Sequence, residues 1–424
     1  MNFQDLYNKS VIKNIVSWNV STEPTDDSYK AEEITTLDYL SSVNKFINDN
    51  PDDIVAKHLK QNIFSEDLEH KSIVIEQNLW KKYQDLKKNK TEPDNEYFDL
   101  FDSMVSITKA KMKEKSWKEN ELTYFSDRQL GNPDEIISLV KEMAEISKNF
   151  IKNKPSNLVS KLPDFKMDTL INYMESFEDI GYKISDKNGS FMTSMDKNNS
   201  RIHISKNKKC IYDTASSITH EVGHALYQNR ILNKNTLVGA LGDMISLSLH
   251  ESSSIFNEIA LSGIDYDVTK NSNNLYRLGS DKIHYIIHIY IRMKVEELLF
   301  SNVIKSRDIP SVWNSLMLEY TGLEPSNSWE GFMQDVHWNS GSFGYFHSYA
   351  VGFFNAVIMY VKIKNKLSGD LVYDTLEVVM PTIEDWYGHY NEDSKNILND
   401  MHKNIDHSLQ IYKYFIQKNF NYID

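Results

Sequence analysis

The stretch that decides the fold of this chain reads Ser217-Ile218-Thr219-His220-Glu221-Val222-Gly223-His224-Ala225-Leu226-Tyr227. On an α-helix each residue turns the chain by about 100°, so two histidines four residues apart differ by about 40° and share one face. Two imidazoles and an adjacent carboxylate form the arrangement that zinc hydrolases use, with two metal ligands and one general base. The pattern predicts a metal-binding helix in which His220 and His224 are ligands and Glu221 is the base.

The apolar residues of this stretch, together with Ala215 just before it, favour a helix. They fall on the side opposite the histidines, and no proline interrupts them; they are Ala215, Ile218, Val222, Ala225 and Leu226. Taken alone, the same pattern also fits two surface histidines on an amphipathic helix, so both interpretations stay open at this point.

A third ligand is expected downstream, at Glu251, which follows His224 by 27 residues (251 − 224 = 27). Asn233, Gly239 and Gly242 indicate a loop between two helices. A second helix running antiparallel to the first would bring Glu251 over the histidines, and three protein ligands leave one position open for water. The alternative is a solvated carboxylate on a helix surface, which the mostly apolar or small neighbours disfavour.

Three segments together resemble the carboxypeptidase Taq family of metallocarboxypeptidases. His220–Tyr227 is similar to the active-site helix of the family, and His250-Glu251-Ser252-Ser253-Ser254 to its His-Glu-Ser-Gln-Ser segment, whose Glu is the third ligand. Gln334-Asp335-Val336-His337-Trp338-Asn339-Ser340-Gly341-Ser342-Phe343-Gly344-Tyr345-Phe346 resembles its Gln-Asp-x-His-Trp-x-x-Gly-x-x-Gly-Tyr-Phe signature. The resemblance covers roughly residues 165–365, and the N-terminal part is shorter and more divergent.

The predicted fold is mostly α-helical, with a small antiparallel β-sheet next to the metal-binding helix and a deep substrate groove. Apolar residues recur at helical spacing from about 36 to 114, and Asn132-Pro133-Asp134-Glu135 begins another helix. Three segments before the metal-binding helix are predicted strands; they are Tyr182–Ser185, Phe191–Ser194 and Arg201–Ser205. We expect one catalytic domain over 1–424, with a divergent helical part (1–160) and a catalytic core (165–424).

The resemblance implies roles for further residues. His337 and Tyr345 are candidate donors to the oxyanion that forms during peptide hydrolysis. Arg277, in a segment similar to the Ile-Arg-x-x-Ala-Asp motif of the family, is the candidate anchor for a C-terminal carboxylate, because its planar fork pairs with carboxylates bidentately. Tyr285 would line the same wall. Arg277 could instead be a surface residue paired with Asp281.

Several positions depart from the family pattern. The family's His-Pro-Phe corresponds to Gly189-Ser190-Phe191, so its histidine is absent, and its Asp-x-Arg-x-Thr corresponds to Asn199–His203, where only Arg201 is kept. His347 stands where the family has proline. The expected metal and base positions are intact, so these departures affect the expected substrate preference rather than hydrolysis, and His203 or His347 could add a new contact.

Composition excludes some classes of partner. The 424-residue chain has a formal net charge of −13, which opposes nucleic-acid binding. Its single cysteine, Cys210, excludes an intramolecular disulfide. The first residues lack the features of a signal peptide, and the longest apolar stretch, Tyr349–Val361, is too short to span a bilayer. We expect a cytoplasmic enzyme that binds neither nucleic acid nor membranes.

The predicted function is metal-dependent removal of C-terminal residues from peptides, with zinc as the most expected ion and cobalt or manganese as alternatives. The family resemblance implies a homodimer. A metallo-oligopeptidase or aminopeptidase would use the same metal site but would need no carboxylate anchor, so Arg277 favours the carboxypeptidase. A binding protein that kept the fold without activity is a third class, which the complete set of metal-site residues disfavours.

Overall fold

Helices make up most of the chain. The computed structural model describes residues 1–23, 25–125, 127–153, 165–187, 189–206, 211–241, 245–262, 284–392, 394 and 396–420. In chain order the helices are α1 (Phe3–Thr22), α2 (Asp26–Asp49), α3 (Ile54–Asn62), α4 (Glu66–Asn89), α5 (Asn95–Glu114), α6 (Pro133–Asn153), α7 (Met167–Glu175), α8 (Ile211–Tyr227), α9 (Asn233–Asn235), α10 (Leu237–Ala240), α11 (Leu247–Ser262), α12 (His284–Phe300), α13 (Ile309–Thr321), α14 (Phe346–Ile363), α15 (Leu371–Asp374), α16 (Met380–Tyr387), α17 (Ile397–Met401) and α18 (Ile405–Phe420). The strands are β1 (Ile180–Ser185), β2 (Phe191–Asp196) and β3 (Asn199–Ser205).

The predicted helical character of the N-terminal part is confirmed, and local sequence signals explain where helices begin. Asp94 caps α5 by accepting a hydrogen bond from the backbone N–H of Tyr97 at 3.0 Å. Asn132 accepts from the N–H of Asp134 at 3.0 Å just as α6 begins at Pro133. Both side chains satisfy backbone donors that have no partner within the helix.

The chain divides into two units. The first consists of Met1–Ile63, Leu162–Gly263 and Gly352–Lys403, and the second of Phe64–Lys161, Ile264–Val351 and Asn404–Asp424. Within the first unit, α8 packs along α11 and against β3. Within the second, Trp338 is fully buried, with its ring 6.0 Å from that of Trp313 and 6.4 Å from that of Phe101.

The three predicted strands form one small sheet, but its predicted antiparallel pairing is only partly correct. The strand order is β1-β3-β2; β2 pairs with β3 antiparallel, whereas β1 pairs with β3 parallel. Each connection reverses the chain, so β1 and β3 run in the same direction, and β3 lies between the other two. Turn residues in the sequence predict reversals of direction, but they do not determine which strands become neighbours.

The predicted antiparallel arrangement of α8 and α11 is confirmed by side-chain contacts that run in opposite sense along the two helices. Early in α8, Ser216 donates to Glu258. Near the end of α8, Nδ1 of His224 lies 2.6 Å from Nδ1 of His250. Gly223 permits close contact between the helices, because a Cβ there would lie 2.8 Å from Cα of Ser254.

None of the helices in the described part of the chain combines the length and apolar character that a membrane crossing requires.

Candidate metal centre

The three predicted ligands lie together in the first unit. His220, His224 and Glu251 each offer one ligand atom, and these atoms all lie within 4.8 Å of one another. Nε2 of His220 is 3.7 Å from Oε2 of Glu251, and Nε2 of His224 is 3.5 Å from the same oxygen. Ligands at about 2.1 Å from a tetrahedral zinc ion would be separated by about 3.4 Å. The donor types and their spacing therefore fit a divalent metal.

Glu251 does not behave as a solvated helix residue. Its side chain is 2% exposed, and Oγ of Ser254 lies 3.3 Å from its Oε2. A Cβ added at Gly352 would lie 2.8 Å from Cβ of Glu251, so a second helix covers this residue closely. A buried carboxylate is costly unless it is paired or binds a metal. Its burial therefore supports the ligand role over the alternative of a surface carboxylate.

His220 is oriented by a carboxylate that sequence analysis missed. Its Nδ1 lies 3.1 Å from Oε2 of Glu258, so its Nε2 is the nitrogen left to face Glu251. Burial alone would lower the pKa of His220, but the hydrogen bond to Glu258 and the nearby carboxylates raise it to about 9. Because a metal ligand must be a neutral imidazole, metal binding here would release a proton.

Burial lowers the pKa of the other two histidines of the site. The pKa of His224 lies well below its ordinary value, and that of His250 falls to about 4, in both cases chiefly because of burial and in part because of the His220 charge. Both residues are therefore neutral at physiological pH, the form in which an imidazole can bind a metal.

The predicted base, Glu221, directly follows His220, the first predicted ligand, on α8. Its side chain is buried, with 6% exposed, and its charge contributes to raising the pKa of His220. Position and burial are compatible with a general base, although the proton transfer itself stays a prediction.

His337 and Tyr345 form a cluster within the second unit, around a tyrosine that the sequence analysis did not single out. Their ring centroids are 5.1 Å apart. Nε2 of His337 lies 3.3 Å from the hydroxyl of Tyr349, and Tyr285 places its ring 6.5 Å from that of Tyr349. Tyr349 follows Tyr345 by four residues, at helical spacing, and this was the signal that could have identified it.

Asp335 supports this cluster. It accepts a hydrogen bond from Nε of Arg292 at 2.6 Å and another from the backbone N–H of Trp338 at 2.8 Å, and its Oδ2 lies 3.5 Å from Nδ1 of His337. Burial would raise the pKa of Asp335, but Arg292 and His337 lower it to about 2. The carboxylate stays charged, and it fixes the segment that carries His337.

Arg277 and its alternative partner Asp281 lie outside the described residues, so the anchor role stays a prediction. The two histidines at departing positions are both buried. His203 is held inside the sheet, with Nε2 2.7 Å from Oγ of Ser185 and Nδ1 2.9 Å from the carbonyl oxygen of Gly189. His347 has no hydrogen-bond partner for its Nδ1 among the described residues, and burial lowers its pKa to about 4.

Comparison with known proteins establishes the protein family to which this chain belongs. The model of the carboxypeptidase Taq (M32) metallopeptidase family matches residues 134–263 and 261–387. The chain therefore belongs to the carboxypeptidase Taq (M32) family of metallopeptidases, and the resemblance identified from the three motifs is confirmed.

Relatives with curated names are similar over part of the chain. Carboxypeptidase 1 of Bacillus subtilis is 29% identical over 271 residues, which cover 56% of this chain and 52% of the relative. Thermostable carboxypeptidase 1 of Pyrococcus furiosus is 31% identical over 180 residues, which cover 36% of each. The chain thus spans about half the length of the first relative and about a third of the second in these matches.

Solved structures confirm the mostly helical fold. The BsuCP crystal structure has a TM-score of 0.74 at 18% identity and covers 99% of this chain and 98% of its own. The crystal structure of the M32 carboxypeptidase from Deinococcus radiodurans has a TM-score of 0.73 at 13% identity, with the same coverage. At these identities the likeness concerns the fold alone.

Proposed function

We propose that this protein is a metal-dependent carboxypeptidase that hydrolyses C-terminal residues from peptides. The observation that carries the proposal is the convergence of His220, His224 and Glu251 beside the buried carboxylate of Glu221. Membership in a family of metallopeptidases and the names of the two relatives support the same reaction. Zinc is the ion we expect, with cobalt or manganese as alternatives that a His/His/Glu site accepts.

The proposed mechanism assigns one task to each side chain. A bound divalent ion would polarise the scissile carbonyl and acidify a water molecule. Glu221 takes the proton from the attacking water and delivers it to the leaving amine. His337 and Tyr345 are the proposed donors to the developing negative charge, and Asp335 holds the segment that carries His337 through its hydrogen bond from the N–H of Trp338.

Direction of cleavage is proposed to depend on Arg277, as the anchor for the free carboxylate, and on Tyr285 as a second substrate-binding residue. A metallo-oligopeptidase or aminopeptidase is the alternative, because it would share the metal site and differ only in how the peptide end is held. Homodimeric assembly and a cytoplasmic location stay predictions.

Mass spectrometry of a single peptide incubated with the zinc-loaded protein tests this proposal. Three forms of the peptide are compared: unmodified, C-terminally amidated and N-terminally acetylated. We expect shortening from the C-terminus of the unmodified and acetylated forms, little cleavage of the amidated form, and loss of all cleavage after chelation of the metal. Trimming from the N-terminus, or equal cleavage of the amidated form, would contradict the carboxypeptidase proposal and favour the alternative.

A further inference from the structure

We infer that Gln228 and His250 are positioning residues that determine which ring nitrogen of His224 faces the metal. The inference rests on the proposed metal site and concerns residues that do not themselves contact the ion. It follows from a network of hydrogen bonds within the first unit. The network begins at two backbone carbonyls and ends at His224.

The network begins with atoms whose donor or acceptor roles are known. A backbone carbonyl oxygen can only accept a hydrogen bond. Nδ2 of Asn233 donates to the carbonyl of Lys197 at 2.7 Å, so Oδ1 of Asn233 is an acceptor. Nε2 of Gln228 donates to this Oδ1 at 2.8 Å and to the carbonyl of Gly239 at 3.0 Å. The orientation of the Gln228 amide is therefore determined, and its oxygen must point the other way.

That orientation sets the proton of His250. Oε1 of Gln228 lies 3.1 Å from Nε2 of His250, and because this oxygen only accepts, Nε2 must carry the proton. Nδ1 of His250 in a neutral ring is then an acceptor. It lies 2.6 Å from Nδ1 of His224, which must donate. The lone pair of neutral His224 is therefore on Nε2, the atom that faces Glu251.

Burial and backbone geometry stabilise this network of hydrogen bonds. His250 is 4% exposed and Gln228 is 2% exposed, so water does not compete for their polar atoms. Gln228 follows His224 by four residues, and it begins a π-helical turn, Gln228–Leu232, at the end of α8. Such wider turns often occur at functional sites. Here the turn carries the amide that fixes the tautomer of His250.

The two histidine ligands thus receive different support. His220 is paired with a carboxylate, Glu258, whereas His224 is paired with a neutral imidazole. The neutral partner orients His224 without adding another anion to a site that already contains Glu221 and Glu251. The same tautomer is selected on both ligands, with two partners of different charge.

The test measures zinc affinity in four proteins and in one control variant, by competition with a chromophoric chelator. The four proteins are the unmodified chain, Gln228→Met, His250→Phe and the double variant. Loss of such outer partners weakens metal binding by about 10–100-fold, and we expect each single variant to lie in this range. Because Gln228 acts through His250, the double variant should bind no more weakly than His250→Phe alone. Asn14→Leu is the control for general destabilisation. It removes a buried amide on α1 that takes no part in the hydrogen-bond network of Gln228 and His250.

Zinc affinity of Gln228→Met equal to that of the unmodified chain, or losses that simply add in the double variant, would overturn the inference. Failure of the unmodified chain to bind zinc would instead overturn the proposed function, so the two failures are distinguishable. If His250→Phe does not fold, nitrogen NMR of the histidine-labelled, zinc-loaded unmodified chain decides. We expect the proton of His250 on Nε2 and that of His224 on Nδ1. The opposite tautomer of His250 would contradict the inferred network of hydrogen bonds.

Discussion

Nδ1 of His220 lies 3.1 Å from Oε2 of Glu258, on the same helix that carries Glu251. Glu251 and Glu258 are seven residues apart, which is about two helical turns, so both carboxylates are on the face of α11 that meets α8. One helix therefore supplies both a proposed metal ligand and the group that orients another ligand. Ser216 holds the second oxygen of Glu258 from within α8.

Glu258→Gln is expected to weaken zinc binding by about 10-fold, because the amide keeps a hydrogen-bond acceptor for Nδ1 of His220 but loses the negative charge. Glu258→Leu removes the acceptor as well and should approach about 100-fold. Chelator competition measures both. Glu384→Gln makes the same change of charge at a surface residue paired with Lys234, and it is the matched control. Equal effects of Glu258→Gln and Glu384→Gln would show that Glu258 has no specific role.

Glu221→Gln is expected to keep the metal and lose turnover. The amide preserves the shape of the side chain but cannot take a proton, and a positioned base contributes about 10²–10⁴-fold to the rate. Metal content and peptide hydrolysis are measured on the same sample. A loss of bound metal comparable to the loss of activity would assign Glu221 to the ligands instead.

Arg277→Ala is expected to lower kcat/KM for free-acid peptides by about 10–150-fold, which corresponds to the loss of a charge-assisted hydrogen bond of about 1.5–3 kcal/mol. Arg277→Lys should recover only part of this, because a point charge does not reproduce the planar fork. Amidated peptides provide the control, since the mutation should hardly change their already slow cleavage. Equal loss for both peptide forms would mean that Arg277 acts on something other than the terminal carboxylate.

Glu296→Gln is expected to change the pH dependence of stability. Burial raises the pKa of Glu296 to about 8, although its carboxylate accepts hydrogen bonds from Nε1 of Trp338 and the N–H of Gly344. Because the pKa of Glu296 is higher in the folded than in the unfolded state, its protonated side chain contributes to the stability of the folded protein. This contribution is fully present below about pH 4.5 and is lost as pH rises toward about 8. The slope from this one group is at most about 1.4 kcal/mol per pH unit.

Thermal unfolding between pH 5 and pH 8 measures this difference. The decline in Tm with rising pH should be smaller in Glu296→Gln, because glutamine keeps an acceptor for Trp338 and has no charge to bury. Glu297→Gln, at the exposed neighbouring position that pairs with Lys294, is the matched control. If plots of Tm against pH for Glu296→Gln and for the unmodified protein were parallel, Glu296 would not titrate in this range.

The sequence was sufficient to bring the three proposed ligands together, because the spacing of the histidines is a property of one helix and Glu251 lies on the next long one. His220 and His224 share a face at any four-residue spacing, and an antiparallel return is the simplest connection that brings Glu251 back to them. The family and the mostly helical fold also followed from local motifs. The roles of these residues in catalysis stay predictions.

The order of the strands and the orientations of buried polar side chains could not be predicted. Strand β3 lies between β1 and β2, and nothing in the turn residues specifies this order. Gln228 and His250 are on different helices, and their roles depend on amide and imidazole orientations that only a three-dimensional network fixes. Glu258 is intermediate, since its seven-residue distance from Glu251 places both residues on one helix face but does not reveal its contact with His220.

The close contact at Gly223 bears on the spacing of the proposed ligands. Cα of Ser254 lies so near that even a methyl group on Gly223 would force α8 and α11 apart. The close approach of the two helices, which Gly223 permits, therefore contributes to the distance between the histidines on α8 and Glu251 on α11. A larger residue at Gly223 is therefore expected to change the spacing of the proposed ligands without replacing any of them.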